Sequence, residues 1–114
     1  MRNQVIENLS IELKRGVQII AVLTFLKEPQ YGYSLLSILE KNDVNIESGT
    51  LYPLLRRLES QGLLTSSWDT NESRPRKFYV LNKEGIETLE ELIEIWVSMQ
   101  ENMNRIILGG NKNE

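Results

Sequence analysis

The sequence predicts a mainly α (α+β) chain: three helical segments, one β-hairpin and a long closing helix. Three observations carry this. Apolar residues recur at spacings of three and four over residues 5–26, 34–42, 50–61 and 82–108, the period of one helix face. Two short segments, 63–68 and 77–81, read instead as strands on either side of a polar loop. The 114 residues, 40% hydrophobic and 25% charged, are of a size and composition that supports a single core.

The first helix carries Leu9, Leu13, Val17, Ile20 and Leu23 or Thr24 on one stripe, which continues through Gly16, and Pro29 is expected to close it. Tyr31-Gly32-Tyr33 leads into a second, short helix with Leu35, Ile38 and Leu39 inward, ending near Asn42. A polar connection, residues 45–48, precedes a third helix, for which Ser48 is the expected N-cap. Pro53 would clash past the first turn, so this helix is expected to start no earlier than Gly49 or Thr50. Its stripe is Leu51, Leu54, Leu55 and Leu58, and Gly62 stops it. The hairpin follows, and one of Phe78 and Tyr79 should face the core while the other stays partly exposed. Asn82 is the expected N-cap of the last helix, with Gly85 in its first turn, and residues 109–114 form a tail expected to be disordered.

Composition excludes much chemistry. With no Cys and no His there is no disulfide, thiol nucleophile, Cys/His zinc site or imidazole base. Glu87, Glu90, Glu91 and Glu94 read as helical surface, and no phosphate loop, dinucleotide fingerprint or metal spacing occurs, so neither enzyme activity nor a cofactor is expected. No apolar run approaches the roughly 20 residues of a membrane span, and residues 1–7 lack a signal-peptide core, so the expected location is cytoplasmic, with no membrane partner. The net charge of -3 hides an asymmetry: residues 1–47 sum to -1, 48–81 to +2 and 82–114 to -4. A polyanion would have to meet the middle third.

Two helices joined by a short turn and followed by a two-stranded wing describe a winged helix-turn-helix, here with a long C-terminal dimerisation helix. The expected division is residues 1–81 for the DNA-binding domain, 82–108 for the dimerisation helix and 109–114 for the tail. Gly49-Thr50-Leu51-Tyr52-Pro53-Leu54-Leu55-Arg56-Arg57-Leu58-Glu59, followed by Gly62-Leu63-Leu64, closely resembles the recognition-helix signature of the PadR family of transcriptional regulators. Tyr31-Gly32-Tyr33, Arg76-Lys77-Phe78-Tyr79 and residues 81–85 also look like that family's motifs. The resemblance covers about residues 13–107, and the single long last helix is similar to the small subgroup.

A recognition helix would enter the major groove with Ser48, Thr50 and Tyr52, and with Arg56 and Arg57 behind them. The four leucines are core on either reading, so function must rest on the other side chains. Tyr52 leads, because an exposed Tyr beside Thr and ahead of paired Arg has little packing reason. Arg74, Arg76 and Lys77 would let the wing lie along the minor groove, although Asp69 and Glu72 dilute its field and exposed loop charges are often only solvated.

In the last helix Ile86, Leu89, Ile93, Trp96, Gln100, Met103 and Ile107 form a seam of nearly three heptads, flanked by Leu92, Ile95, Met99 and Ile106. A helix of about 26 residues reaches roughly 39 Å, longer than so small a body can cover, so a second chain is expected along it. The family resemblance likewise implies a homodimer, with two recognition helices roughly 34 Å apart reading a palindrome in double-stranded DNA and repression as the sign of control. It also implies a candidate pocket for a small aromatic or hydrophobic effector at the dimer centre, walled by Ile93, Trp96, Met99 and Gln100, with Val5, Leu9 and Leu13 opposite. Plain interface core is the alternative for Trp96. The acidic pI near 5.1 keeps a second function open, a winged-helix dimer that binds protein and not DNA.

Overall fold

The computed structural model describes residues 2–71 and 73–109. Their element order is α1 (Arg2–Phe25), β1 (Gln30–Tyr31), α2 (Gly32–Lys41), α3 (Ser48–Ser60), β2 (Leu64–Asp69), β3 (Arg76–Leu81) and α4 (Lys83–Ile107). Glu72 and residues 110–114 of the expected tail lie outside the described residues. Gly109 is described: with φ 70° it turns the chain off the end of α4.

The stripe of α1 divides. Val22, Leu23 and Leu26 at its C-terminal end are fully buried, whereas Val5, Leu9, Leu13 and Val17 are 47–78% exposed. The helix closes at Phe25, earlier than Pro29 required: the Leu26 N–H reaches both the Val22 and Leu23 carbonyls at 3.1 Å, tightening the last turn. Pro29 instead favours an extended chain before it, and Gln30 and Tyr31 then pair with Tyr79 and Phe78. The sheet therefore has three antiparallel strands, ordered β1-β3-β2, and not the two expected. A two-residue strand is too short to show alternation in sequence.

Helix α2 ends where expected, with Asp43 at φ 64°. The Val44 N–H bonds the Leu39 carbonyl and the Asp43 N–H that of Glu40, the paired bonds of a helix that stops on a left-handed residue. Helix α3 corrects two expectations. It begins at Ser48, and Glu47 is its N-cap, with no side-chain cap bond, so Ser48 is a helical residue and not the cap. Pro53 is accommodated in the second turn. The bond it cannot make belongs to the carbonyl of Gly49, an exposed residue with open space where a side chain would stand, so water can satisfy that oxygen. The stop at Gly62 is as expected: φ is 85°, the Gly62 N–H bonds the Glu59 carbonyl and the Leu63 N–H that of Leu58.

Leu64 pairs with Leu81 at the base of the wing and both are buried. Tyr79 is buried and Phe78 half-buried, as the alternation required. Asn82 caps α4, its Oδ1 accepting from the Gly85 N–H at 2.8 Å while its Nδ2 donates to the Gly62 carbonyl. A Cβ at Gly85 would overlap the backbone carbonyl of Leu63, so the first turn of α4 sits directly on the α3–β2 junction. Leu89 of α4 joins Leu23, Leu26, Leu35, Leu39, Leu51, Leu55 and Leu58 in one core.

Candidate functional site

Helix α3 and the wing form one surface. At about 100° per residue, Leu51, Leu55 and Leu58 point inward and Gly49, Pro53 and Arg56 point away from the core. The other positions fall on two flanks. Tyr52 and Glu59 lie toward the wing, whereas Thr50 and Arg57 border a groove shared with Lys14, Arg15 and Gln18 of α1. Ser48, Thr50, Tyr52, Arg56 and Arg57 are all exposed, but they do not form one cluster: the paired arginines diverge onto different sides of the helix.

Tyr52 has a packing role that the sequence did not show. A Cβ on Gly32 would overlap the Tyr52 ring, so the ring lies flush on the first residue of α2, leaving 37% of the residue exposed. It joins the two helices of the helix-turn-helix while its outer edge stays in solvent. Val44 and Ile46, half-buried, hold the turn between those helices, and the Gln18 amide donates to the Asn45 carbonyl at 3.4 Å.

The wing is clamped at two points. On the face toward α3, the Ser66 hydroxyl donates to Glu59 at 2.5 Å and the Lys77 ammonium lies 3.5 Å from the same carboxylate, with its charge 5.2 Å from the Tyr79 ring centre. The Ser66 hydrogen bond first, and Lys77 second, hold the Glu59 carboxyl below its ordinary value. On the opposite face, the Tyr31 hydroxyl donates to Asp69 at 2.7 Å, its ring meets Phe78 edge-on at 5.5 Å, and the Arg76 guanidinium lies 4.0 Å over the same ring. Asp69 is held low chiefly by that Tyr31 hydroxyl, then by the Asn71 N–H, with Arg76 adding its charge. The three wing cations thus differ. Arg74 is exposed in the connecting loop, Arg76 is stacked on Tyr31, and Lys77 is half-buried and paired with Glu59.

Sequence reasoning missed the clamp residues Glu59, Ser66 and Tyr31, and two exposed aromatics. Tyr33 at the start of α2 is 79% exposed and Trp68 at the far end of β2 is 62% exposed. Trp68 carried a usable signal, a tryptophan set between the polar runs Thr65-Ser66-Ser67 and Asp69-Thr70-Asn71.

Along α4, Ile86, Ile93, Trp96, Met103 and Ile107 are 36–68% exposed, and Gln100 is exposed with them. Leu89 is the exception and a correction: at 1% exposed, it is used up in the core and has no surface left for a second chain. Ile93, Trp96, Met99 and Gln100, the candidate effector wall, follow one another along this open helix surface. A groove of about 990 Å³ lies elsewhere, between the N-terminal half of α1 and α3. Among the described residues no cluster of three or more acidic or other metal-binding side chains is placed to hold a metal ion, and no helix is long and apolar enough to cross a membrane.

Known proteins share this fold. The family described as the transcriptional regulator PadR-like family matches residues 19–91, from the buried end of α1 through the first turns of α4. A PadR family transcriptional regulator from Eggerthella lenta DSM 2243 is 40% identical, with 93% of this chain and 95% of that one covered and a TM-score of 0.89. A PadR-like transcription factor from Bacteroides fragilis is 33% identical over 87% of this chain and 98% of that one, with a TM-score of 0.72. Bacillus subtilis PadR, solved in complex with operator DNA, shares the fold at 23% identity and a TM-score of 0.62, covering 68% of this chain and 47% of that one. No match was found among curated proteins. The family match over residues 19–91, together with a relative 40% identical over 93% of the chain, places this protein in the PadR-like family of transcriptional regulators, which are not enzymes.

Proposed function

We propose that the protein is a sequence-specific DNA-binding regulator, acting as a homodimer on a palindromic operator, with repression as the sign of its control. The observation that carries the reading is the outer surface of α3. Leu51, Leu55 and Leu58 fill the core, yet Thr50, Tyr52, Arg56 and Arg57 stand in solvent on a helix that adjoins a wing with three cations, within a chain that is acidic as a whole. Concentrating positive charge in the middle third, while the last third sums to -4, suits a polyanion that is kept away from α4. The fold shared with an operator-bound relative supports the same docking. Arg56 points outward and is positioned to reach a base edge or phosphate. Arg57 and Thr50 reach the backbone on the α1 side, and Ser48 and Tyr52 the backbone near the start of α3. Arg74 extends the wing contact, with Arg76 and Lys77 adding positive potential from their clamped positions.

The exposed apolar side chains of α4, together with Val5, Leu9 and Leu13 of α1, support dimerisation. Two copies of Ile93, Trp96, Met99 and Gln100 facing each other would build the wall of an effector site for a flat hydrophobic compound. A cytoplasmic location follows from this role. The test is a gel-shift titration of the protein against its own promoter duplex and a scrambled duplex at two salt concentrations, with Arg56→Ala in parallel. The expected result is preference for the promoter, affinity that falls steeply with salt, and a loss of about 1–3 kcal/mol in Arg56→Ala with the dimer intact. Equal affinity for both duplexes at low salt would favour the protein-binding alternative.

A further inference from the structure

Trp68 is the most exposed tryptophan of the chain and the least explained by packing. In β2, Leu64, Ser66 and Trp68 share one face, and their partners on β3 are Leu81, Tyr79 and Lys77. Leu64, Leu81 and Tyr79 are buried, and Ser66 and Lys77 hold Glu59 of α3. This face therefore looks toward α3, and Trp68 is where it emerges past the helix into solvent, 62% exposed. The Trp68 face of the wing therefore meets the flank of α3 that carries Glu59, and the cleft is the angle between the two. The acidic side chain that α3 brings to it, Glu59, is offset by Lys77 and hydrogen-bonded by Ser66, while Arg56 of α3 and Arg74 of the wing loop are exposed.

We propose that Trp68 is a DNA-contacting residue: its indole packs on the deoxyribose of the strand that runs through the cleft between α3 and the wing. The inference rests on the DNA-binding reading above and adds a residue to it. If α3 occupies a major groove and the wing the adjacent minor groove, the phosphodiester backbone between the grooves passes through this cleft. That backbone presents anionic phosphates to Arg56 and Lys77 and the apolar face of its sugars to a flat ring. An indole on a sugar buries apolar area without reading phosphate charge, so its contribution should be independent of salt, unlike that of a cation.

The experiment is promoter-duplex binding by wild type, Trp68→Ala, Trp68→Phe and Lys77→Ala at several salt concentrations, with thermal melts to confirm folding. Trp68→Phe keeps Trp96, so the emission of wild type less that of Trp68→Phe is the Trp68 signal and reports contact directly. The expected result is a loss of about tenfold in Trp68→Ala with an unchanged salt slope, a smaller loss in Trp68→Phe, a shallower slope in Lys77→Ala, and a Trp68 emission change that saturates with the duplex. Wild-type binding with Trp68→Ala equally tight and Trp68 emission unmoved would overturn this inference and leave the DNA-binding reading standing. No binding of either duplex by wild type would overturn both.

Discussion

Gly85 and Tyr52 show how single residues position the site. The Asn82 cap fixes the start of α4, and Gly85 lets that start press on the Leu63 carbonyl, where no side chain fits. A methyl there meets backbone, which cannot rotate away. Gly85→Ala should therefore cost about 1–3 kcal/mol, measured as a lower midpoint in urea unfolding, even though Ala is the better helix former. An unchanged midpoint would mean that α4 can shift outward freely. At Gly32 the neighbour is instead the Tyr52 ring, a side chain that is able to move. The same substitution there would loosen the angle between α2 and α3 more than the stability of either.

The wing is held to its neighbours by side-chain polar contacts on both faces. Strands β2 and β3 meet α3 through Glu59, and β2 meets the α2 entry through Tyr31 and Asp69. Both carboxyls are held below their ordinary values of 4.5 and 3.8. A depressed carboxyl contributes its stabilisation fully above the ordinary value and loses it as the pH falls through the value in the folded state. The wing should therefore loosen on acidification below the ordinary values, before the leucine core melts, visible as faster amide exchange in β2 and β3. Glu59→Gln should release the α3 clamp at neutral pH and blunt the Glu59 part of that acid response. Equal exchange in wild type and variant across the range would show that the sheet holds the wing without the clamp. Both groups are only half-buried and keep contact with solvent, so the effect belongs to the local order of the wing and not to global stability.

The whole molecule extends 63 × 38 × 23 Å with a radius of gyration of 17.3 Å, whereas a compact chain of this length has about 13 Å. The excess fits the halves of α1 and α4 that leave the core. Ile95, Met99, Ile106 and Ile107 are all more than half exposed, and an apolar surface of this extent points to a second chain. If it does pair, the melting temperature should rise with protein concentration, and Trp96→Ala should weaken dimerisation at least tenfold by light scattering and sedimentation. A midpoint independent of concentration would speak for a monomer, and an unaltered dimer in Trp96→Ala would make Trp96 a bystander.

The order of helices and strands, the Gly62 stop and the Asn82 cap were legible in sequence because each depends on neighbours within a few residues: periodicity, a left-handed glycine, a side chain bonding three positions on. The exposed side of α3 was legible for the same reason, since removing its leucine stripe leaves Thr50, Tyr52, Arg56 and Arg57 outside. What the tertiary structure decided are the contacts between residues distant in sequence. It paired Gln30 and Tyr31 with β3, set Tyr52 on Gly32 and tied Lys77 to Glu59. It also buried Leu89 in its own domain and left Trp68 facing the cleft. Periodicity assigns a residue to a face of its own element; only packing decides what, if anything, covers that face.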